Sequence, residues 1–88
     1  MAGILDRVAL VTGAGSAEGI GFATARSLAA AGARVAITST TKRIFERLET
    51  LGAGHAALTA DLTIVEDVSE LINAVQAKFG RIDMIVNN

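Results

Sequence analysis

The sequence predicts an α/β fold: a doubly wound parallel sheet with helices on both faces. Three observations carry this. Short apolar, β-branched runs alternate with segments of helical periodicity along the whole chain. The first run leads directly into a glycine-rich turn, VALVTGAGSAEGIG over 8–21, that opens a helix. Glycines fall between the periodic segments and proline is absent. Alternation of this kind means parallel strands with helices packed on the sheet. Right-handed crossovers then leave few ways to wind it.

Each element has its own reason. Val8–Thr12 is a continuous apolar run, as expected of a strand covered on both faces. Gly19–Ala31 is alanine-rich and helical, and Gly32 is placed to end it. Arg34–Thr38 is the second strand. Thr41–Leu51 sets Ile44, Leu48 and Leu51 on one helical stripe and meets Gly52. His55–Ala60 is a weaker third strand. In Thr63–Phe79, Thr63 and Glu66 have capping-box spacing, Val68, Leu71, Ile72, Val75 and Phe79 share a face, and Gly80 is the stop. Ile82–Val86 is the fourth strand. The order βαβαβαβ is best wound as 3-2-1-4, a three-layer Rossmann-like sheet holding one nucleotide-binding half and the strand across the switch point. A fragment of a (β/α)8 barrel is the competing architecture, and the glycine-rich first turn weighs against it.

Composition narrows the function classes. Hydrophobic residues make up 51% of the 88, a high share for a domain this small, so some apolar faces are expected to meet partners. A net charge of -1 provides no basic field for nucleic acid and no polybasic patch for a membrane. The absence of cysteine excludes a disulfide scaffold and a thiolate metal site, and leaves the cytoplasm as the default expectation. No apolar run nears the roughly 20 residues of a membrane span. The opening MAGILDR lacks the pattern of a secretory signal. His55 has no second histidine or cysteine to form a metal site and reads as a structural or surface residue. Phe22, Phe45 and Phe79 read as packing residues, and no Gly-Lys-Ser/Thr ending marks a phosphotransferase P-loop.

The turn after the first strand is the candidate site. Gly13 permits the tight exit from the strand, and Gly15 either shares that task or extends the turn. Gly19 and Ile20 would present N–H groups to phosphates, and Gly21 would let the helix pack on the sheet. Ser16 sits in the same turn without a histidine to activate it as a nucleophile. The second strand ends in Ser39 and Thr40, followed by Thr41, Lys42 and Arg43, with no carboxylate. An acid there would hydrogen-bond a free ribose 2′-OH, whereas hydroxyls and cations suit a 2′-phosphate.

Thr12-Gly13 with Gly19-Ile20-Gly21 resembles the TGxxxGxG turn of the short-chain dehydrogenase/reductase family. Asp61-Leu62 resembles the adenine-contacting Asp of that family, and Ile82-Asp83 with Val86-Asn87-Asn88 resembles the start of its NNAG motif. The resemblance spans nearly the whole chain. One departure stands out: five residues, Ala14–Glu18, separate Gly13 from Gly19 where the family usually has three.

The resemblance implies a nicotinamide cofactor, NADP in preference to NAD on the Ser39–Arg43 pattern, although Glu18 stands where NADP-preferring relatives often carry a base. It implies cofactor contacts from Gly13, Gly15, Ser16, Gly19, Ile20, Gly21, Ser39, Thr40, Asp61, Leu62, Asn87 and Asn88, with Ile20 towards the nicotinamide. Catalysis in that family belongs to a Ser and a Tyr-x-x-x-Lys later in the chain. There is no tyrosine here, so no catalytic residue is assigned. The expectation is that residues 1–88 are the cofactor-binding portion of such an enzyme, cut after the fourth strand and inactive alone. The whole protein would act on a small carbonyl or alcohol and form a homo-oligomer. A non-catalytic dinucleotide-binding module is the alternative. A Rossmann-like methyltransferase is a weaker one, because Ser39 replaces the acid it would want.

Overall fold

The computed structural model describes residues 4–88; residues 1–3 of the stretch read above as lacking a secretory signal lie outside it. In chain order the elements are β1 (Val8–Val11), α1 (Ile20–Ala30), β2 (Arg34–Ser39), α2 (Arg43–Leu51), β3 (Ala56–Thr59), α3 (Val65–Phe79) and β4 (Met84–Val86). The strands form one parallel sheet in the order β3-β2-β1-β4, the winding that the alternation predicts. Leu10 lies level with Ala36 and Ile85, and Ala36 with Ala56.

Alternation along the strands divides the core in two. Val11, Val35 and Ile37 pack with Ala25 of α1 and Ile44 of α2 on one face. Val8, Leu10, Ala36 and Ala56 pack with Leu71 and Val75 of α3 on the other. The result is three layers, α1 and α2 against the sheet and α3 behind it. All four residues of β1 are buried, as its unbroken apolar run requires.

Asp83 ties the outer strand to the middle one. Its carboxylate Oδ2 accepts from the Val8 N–H at 2.8 Å, and its own N–H donates to the Val8 carbonyl at 2.9 Å. Arg81 forks onto Oδ1 through Nε at 3.0 Å and Nη2 at 2.6 Å, and Arg7 Nη1 lies 3.6 Å away.

Four local expectations are corrected. Thr63 and Glu66 form no capping box: α3 starts two residues later than predicted, and its N-cap, Ile64, makes no side-chain cap bond. The Thr63 hydroxyl instead donates to Asp61 Oδ1 at 2.6 Å, because the aspartate two residues earlier offers a charged acceptor. Val68 shares the helical stripe of Leu71 and Val75 but is 37% exposed. Phe45 is 45% exposed, since on α2 its neighbour Ile44 takes the inward position. His55 lies just before β3 rather than in it, and its structural reading holds: Nδ1 accepts from the Val35 N–H at 3.0 Å.

Candidate functional site

The carboxyl ends of β1, β2 and β3 open into a cleft of about 450 Å³. In a parallel sheet wound both ways from β1, the loops after β1 and β4 part here, and this is where such folds receive ligands. The cleft is lined by Gly13, Gly15 and Ser16 from the first turn, Ser39 and Thr40 from the end of β2, and Asp61, Leu62 and Asn88.

The first turn is shaped by close approach. Gly13 has φ of +64°, and an added Cβ would lie 2.9 Å from the Asn88 carbonyl oxygen. Gly21 is tighter still: a Cβ there would stand 2.6 Å from the Gly13 carbonyl oxygen and 2.7 Å from Asn88 Nδ2. Only glycine lets α1 rest directly on the strand exit. Gly15 lies against Ser39, with 2.9 Å between its notional Cβ and Ser39 Oγ. The loop thus spans the end of β2, an anchorage strengthened by the Ala14 N–H bond to the Thr38 carbonyl at 3.1 Å.

The additional length of the turn is absorbed outside this anchorage. Gly19 N–H closes on the Ser16 carbonyl at 3.1 Å, and Glu18 N–H meets Ser16 Oγ at 3.4 Å. Ala17 and Glu18 therefore stand exposed at the tip of a small turn. Helix α1 then begins at Ile20 with Gly19 as an N-cap that supplies no side-chain bond. Among the described residues, nothing accepts from the amides of Ile20, Gly21 and Phe22. Open amides at the positive end of a helix dipole suit an anion. Ile20 itself is 77% exposed. Gly19, Ile20 and Gly21 stand at this helix mouth rather than on the wall of the cleft.

The far wall comes from β3. Asp61 Oδ1 accepts from both the N–H and the hydroxyl of Thr63, at 2.9 and 2.6 Å. These bonds, the hydroxyl's first, hold the carboxyl below the usual carboxylate range. Asp61 is therefore an acceptor only, and its Oδ2 takes no bond from the described residues. Asp67 Oδ2, reaching back from α3, accepts the Asp61 N–H at 2.9 Å.

Asn87 helps to hold the sheet together through its side-chain oxygen. Thr12 Oγ1 donates to Asn87 Oδ1 at 3.2 Å and accepts the Asn88 N–H at 3.0 Å. Asn88 Nδ2 donates to the Gly13 carbonyl at 3.2 Å. Together they fasten the end of β4 to the glycine turn.

Several residues of the site were missed by the sequence reading. Thr38, Ala60 and Thr63 line the cleft without having been singled out for it, beside Thr12 of the turn motif and Thr41 and Arg43, which were read as suited to a phosphate. Arg43 Nη2 comes within 3.9 Å of the notional Gly15 Cβ, so a cation overhangs the end of β2. Thr12 and Thr38 had a legible signal: each is a polar residue ending an otherwise apolar strand. Asp67 had none, because its role depends on how the β3–α3 turn folds back.

Comparison with known proteins agrees with this geometry. Residues 7–88 match the family model described as short chain dehydrogenase. Hydroxynaphthalene reductase arp2 of Aspergillus fumigatus is 40% identical over 87 residues, covering 93% of this chain and 31% of the relative. The short-chain dehydrogenase/reductase homolog YusS of Bacillus subtilis is 36% identical over 90 residues, covering 97% of this chain and 81% of the relative. An actinorhodin polyketide ketoreductase variant solved with NADPH superposes with a TM-score of 0.88 at 36% identity, over 94% of this chain and 33% of that one. The 3-ketoacyl-(acyl-carrier-protein) reductase of Brucella melitensis, complexed with NADH, gives 0.88 at 34% identity, over 93% and 34%. The chain spans about a third of the length of most of the curated relatives it matches. With the parallel 3-2-1-4 sheet, the glycine turn and the match over nearly its full length, this chain belongs to the short-chain dehydrogenase/reductase family.

Proposed function

We propose that these 88 residues are the cofactor-binding portion of a short-chain dehydrogenase/reductase and that they bind NADP in preference to NAD. The observation that carries the reading is the helix mouth at Ile20–Phe22, whose amides have no acceptor among the described residues. Those amides would hold the diphosphate. Gly13 and Gly21 let the backbone approach it, Asp61 would accept from the adenine amino group, and Leu62 would meet the ring edge. Bound here, a nicotinamide cofactor would supply the hydride for carbonyl reduction or accept it in alcohol oxidation.

The preference for NADP rests on charge. Ser39 and Thr40 put hydroxyls, not a carboxylate, at the end of β2, and Arg43 overhangs them. An Arg fork is suited to a phosphate, and nothing there would repel one. The substrate of the whole protein is a small carbonyl or alcohol, and no residue of this chain is assigned to its chemistry. The test is a fluorescence titration of the chain with NADPH and with NADH. NADPH is expected to bind about tenfold more tightly, a difference of roughly 1.4 kcal/mol, and Arg43→Gln to remove most of that gap. Equal affinities would defeat the NADP assignment; no binding of either would defeat the reading as a whole. The same chain mixed with NADPH and a panel of ketones is expected to show no turnover.

A second reading is a dinucleotide-binding module with no catalytic duty. It is favoured by YusS, a family homolog of which this chain covers 81%. Both readings share the cofactor site. They part on whether a longer gene product carries the Tyr-x-x-x-Lys pair.

A further inference from the structure

One side chain takes the place of a backbone group in the sheet. Along β2, successive N–H groups point alternately to the two neighbouring strands. The Arg34 N–H donates to the Arg7 carbonyl at 2.8 Å on the β1 side, so the Val35 N–H faces the β3 side. The pairing there begins only at Ala36 with Ala56. His55 Nδ1 fills the missing position, accepting the Val35 N–H at 3.0 Å.

The chemistry of imidazole makes this bond conditional. An Nδ1 that accepts carries no proton, so the neutral ring holds its proton on Nε2. A second proton can enter only at Nδ1. Imidazolium and the Val35 bond are therefore mutually exclusive, because the acceptor would become a donor facing a donor. The surroundings also disfavour the charge. Beside the ring runs a shallow groove to which α1 contributes Arg26, Ala29 and Ala30, and α2 Thr50 and Leu51. The charge in that lining is the cation of Arg26, and no carboxylate is present to stabilise an imidazolium. From β2, Arg34 is an exposed cation next to Val35. Burial of the ring lowers the His55 pKa from its ordinary 6.5.

The other end of β3 reaches the cleft. Ala60 N–H donates to the Ser39 carbonyl at 3.0 Å, and Ala60, Asp61 and Leu62 form the far wall. We propose that His55 is an acid-released latch for β3: its neutral ring holds the start of the strand against β2, and protonation frees the strand and loosens the cleft wall at its end. The inference concerns the fold of the chain itself and stands whether or not a dinucleotide binds.

The test is an NMR titration of the full chain from pH 7.5 to 5, following the His55 ring, the amide signals of Val35, Ala60 and Leu62, and amide exchange. His55 is expected to titrate below 6.5. The Val35 amide should move with the same midpoint, and its exchange protection should be lost progressively as the ring takes up its second proton. Ala60 and Leu62 should follow. His55→Gln, an uncharged side chain with an acceptor oxygen, should leave all of these signals flat across the range. A Val35 amide that stays unmoved while the wild-type ring titrates would overturn the latch, and that measurement needs no variant. A Val35 amide that moves while Ala60 and Leu62 do not would overturn the link to the cleft.

Discussion

Gly21 sets how closely α1 lies on the strand exit, and two opposing effects meet there. Alanine is the better helix residue by about 1 kcal/mol. Its Cβ, however, would lie 2.6 Å from the Gly13 carbonyl oxygen, a backbone atom that can move only with the turn. Overpacking of this kind costs about 1–3 kcal/mol, so Gly21→Ala is expected to lower the melting temperature and weaken dinucleotide binding together. Gly15→Ala should cost less, because its Cβ meets the side chain of Ser39 rather than backbone. Thr38 presents the reverse case. Its hydroxyl is buried and has no partner among the described residues, and leaving such a group unsatisfied costs about 1–3 kcal/mol. Thr38→Val keeps the shape and removes that group, so thermal unfolding should show a stabilised variant; a lower midpoint would mean that the hydroxyl is satisfied by water. The glycines were legible at this scale, since a strand–turn–helix context gives each one a task. The Thr38 hydroxyl was not, because whether a partner exists depends on neighbours across the sheet.

At the scale of elements, stripes and glycine stops were enough to place every helix and strand to within a few residues. Gly80 ends α3 in the left-handed region with φ of +83° and its N–H on the Gln76 carbonyl, as its position after Phe79 implied. The start of α3 was misread because two acceptors competed for Thr63, and the nearer charged one, Asp61, won. The joint between β1 and β4 was not legible either. Asp83 was read only as part of a motif, yet it joins two strands 75 residues apart in sequence. Its carboxyl lies below its ordinary 3.8, held there first by the Arg81 hydrogen bond, then by the Val8 N–H, and further by the charges of Arg81 and Arg7. A carboxyl with a depressed pKa stabilises the fold above its unfolded value and loses that contribution as pH falls through its folded value. Asp83→Asn keeps an acceptor for Val8 but no charge. Urea midpoints of wild type and variant should therefore differ at pH 6 and converge as the pH falls below 3.8. A gap that persists at pH 2 would show that packing, not charge, is what the aspartate contributes.

For the whole molecule, the sheet is closed on one side of β4 and open on the other. Among the described strands, β4 pairs with β1 alone. Ile85, level with Leu10 and on the α3 face, is 58% exposed. Leu62, Ile64, Val65 and Val68 add an uncovered apolar rim at the start of α3. The high hydrophobic share of the sequence pointed to faces of this kind, but composition could not say where they lie. The solved relatives are about three times as long and so have further chain available to cover them. An exposed parallel edge with apolar residues is a template for pairing with another chain. These 88 residues alone in dilute solution are therefore expected to self-associate, with an apparent mass that rises with concentration in sedimentation equilibrium. Ile85→Lys places a charge on that edge, a substitution that blunts strand pairing in natural sheets, and should shift the population towards monomer. Because Ile85 lies outside the cleft lining, the variant should leave NADPH affinity unchanged. A monomeric wild-type chain at every concentration would show that the apolar rim folds back on the molecule and that the open edge is protected by the chain's own surface.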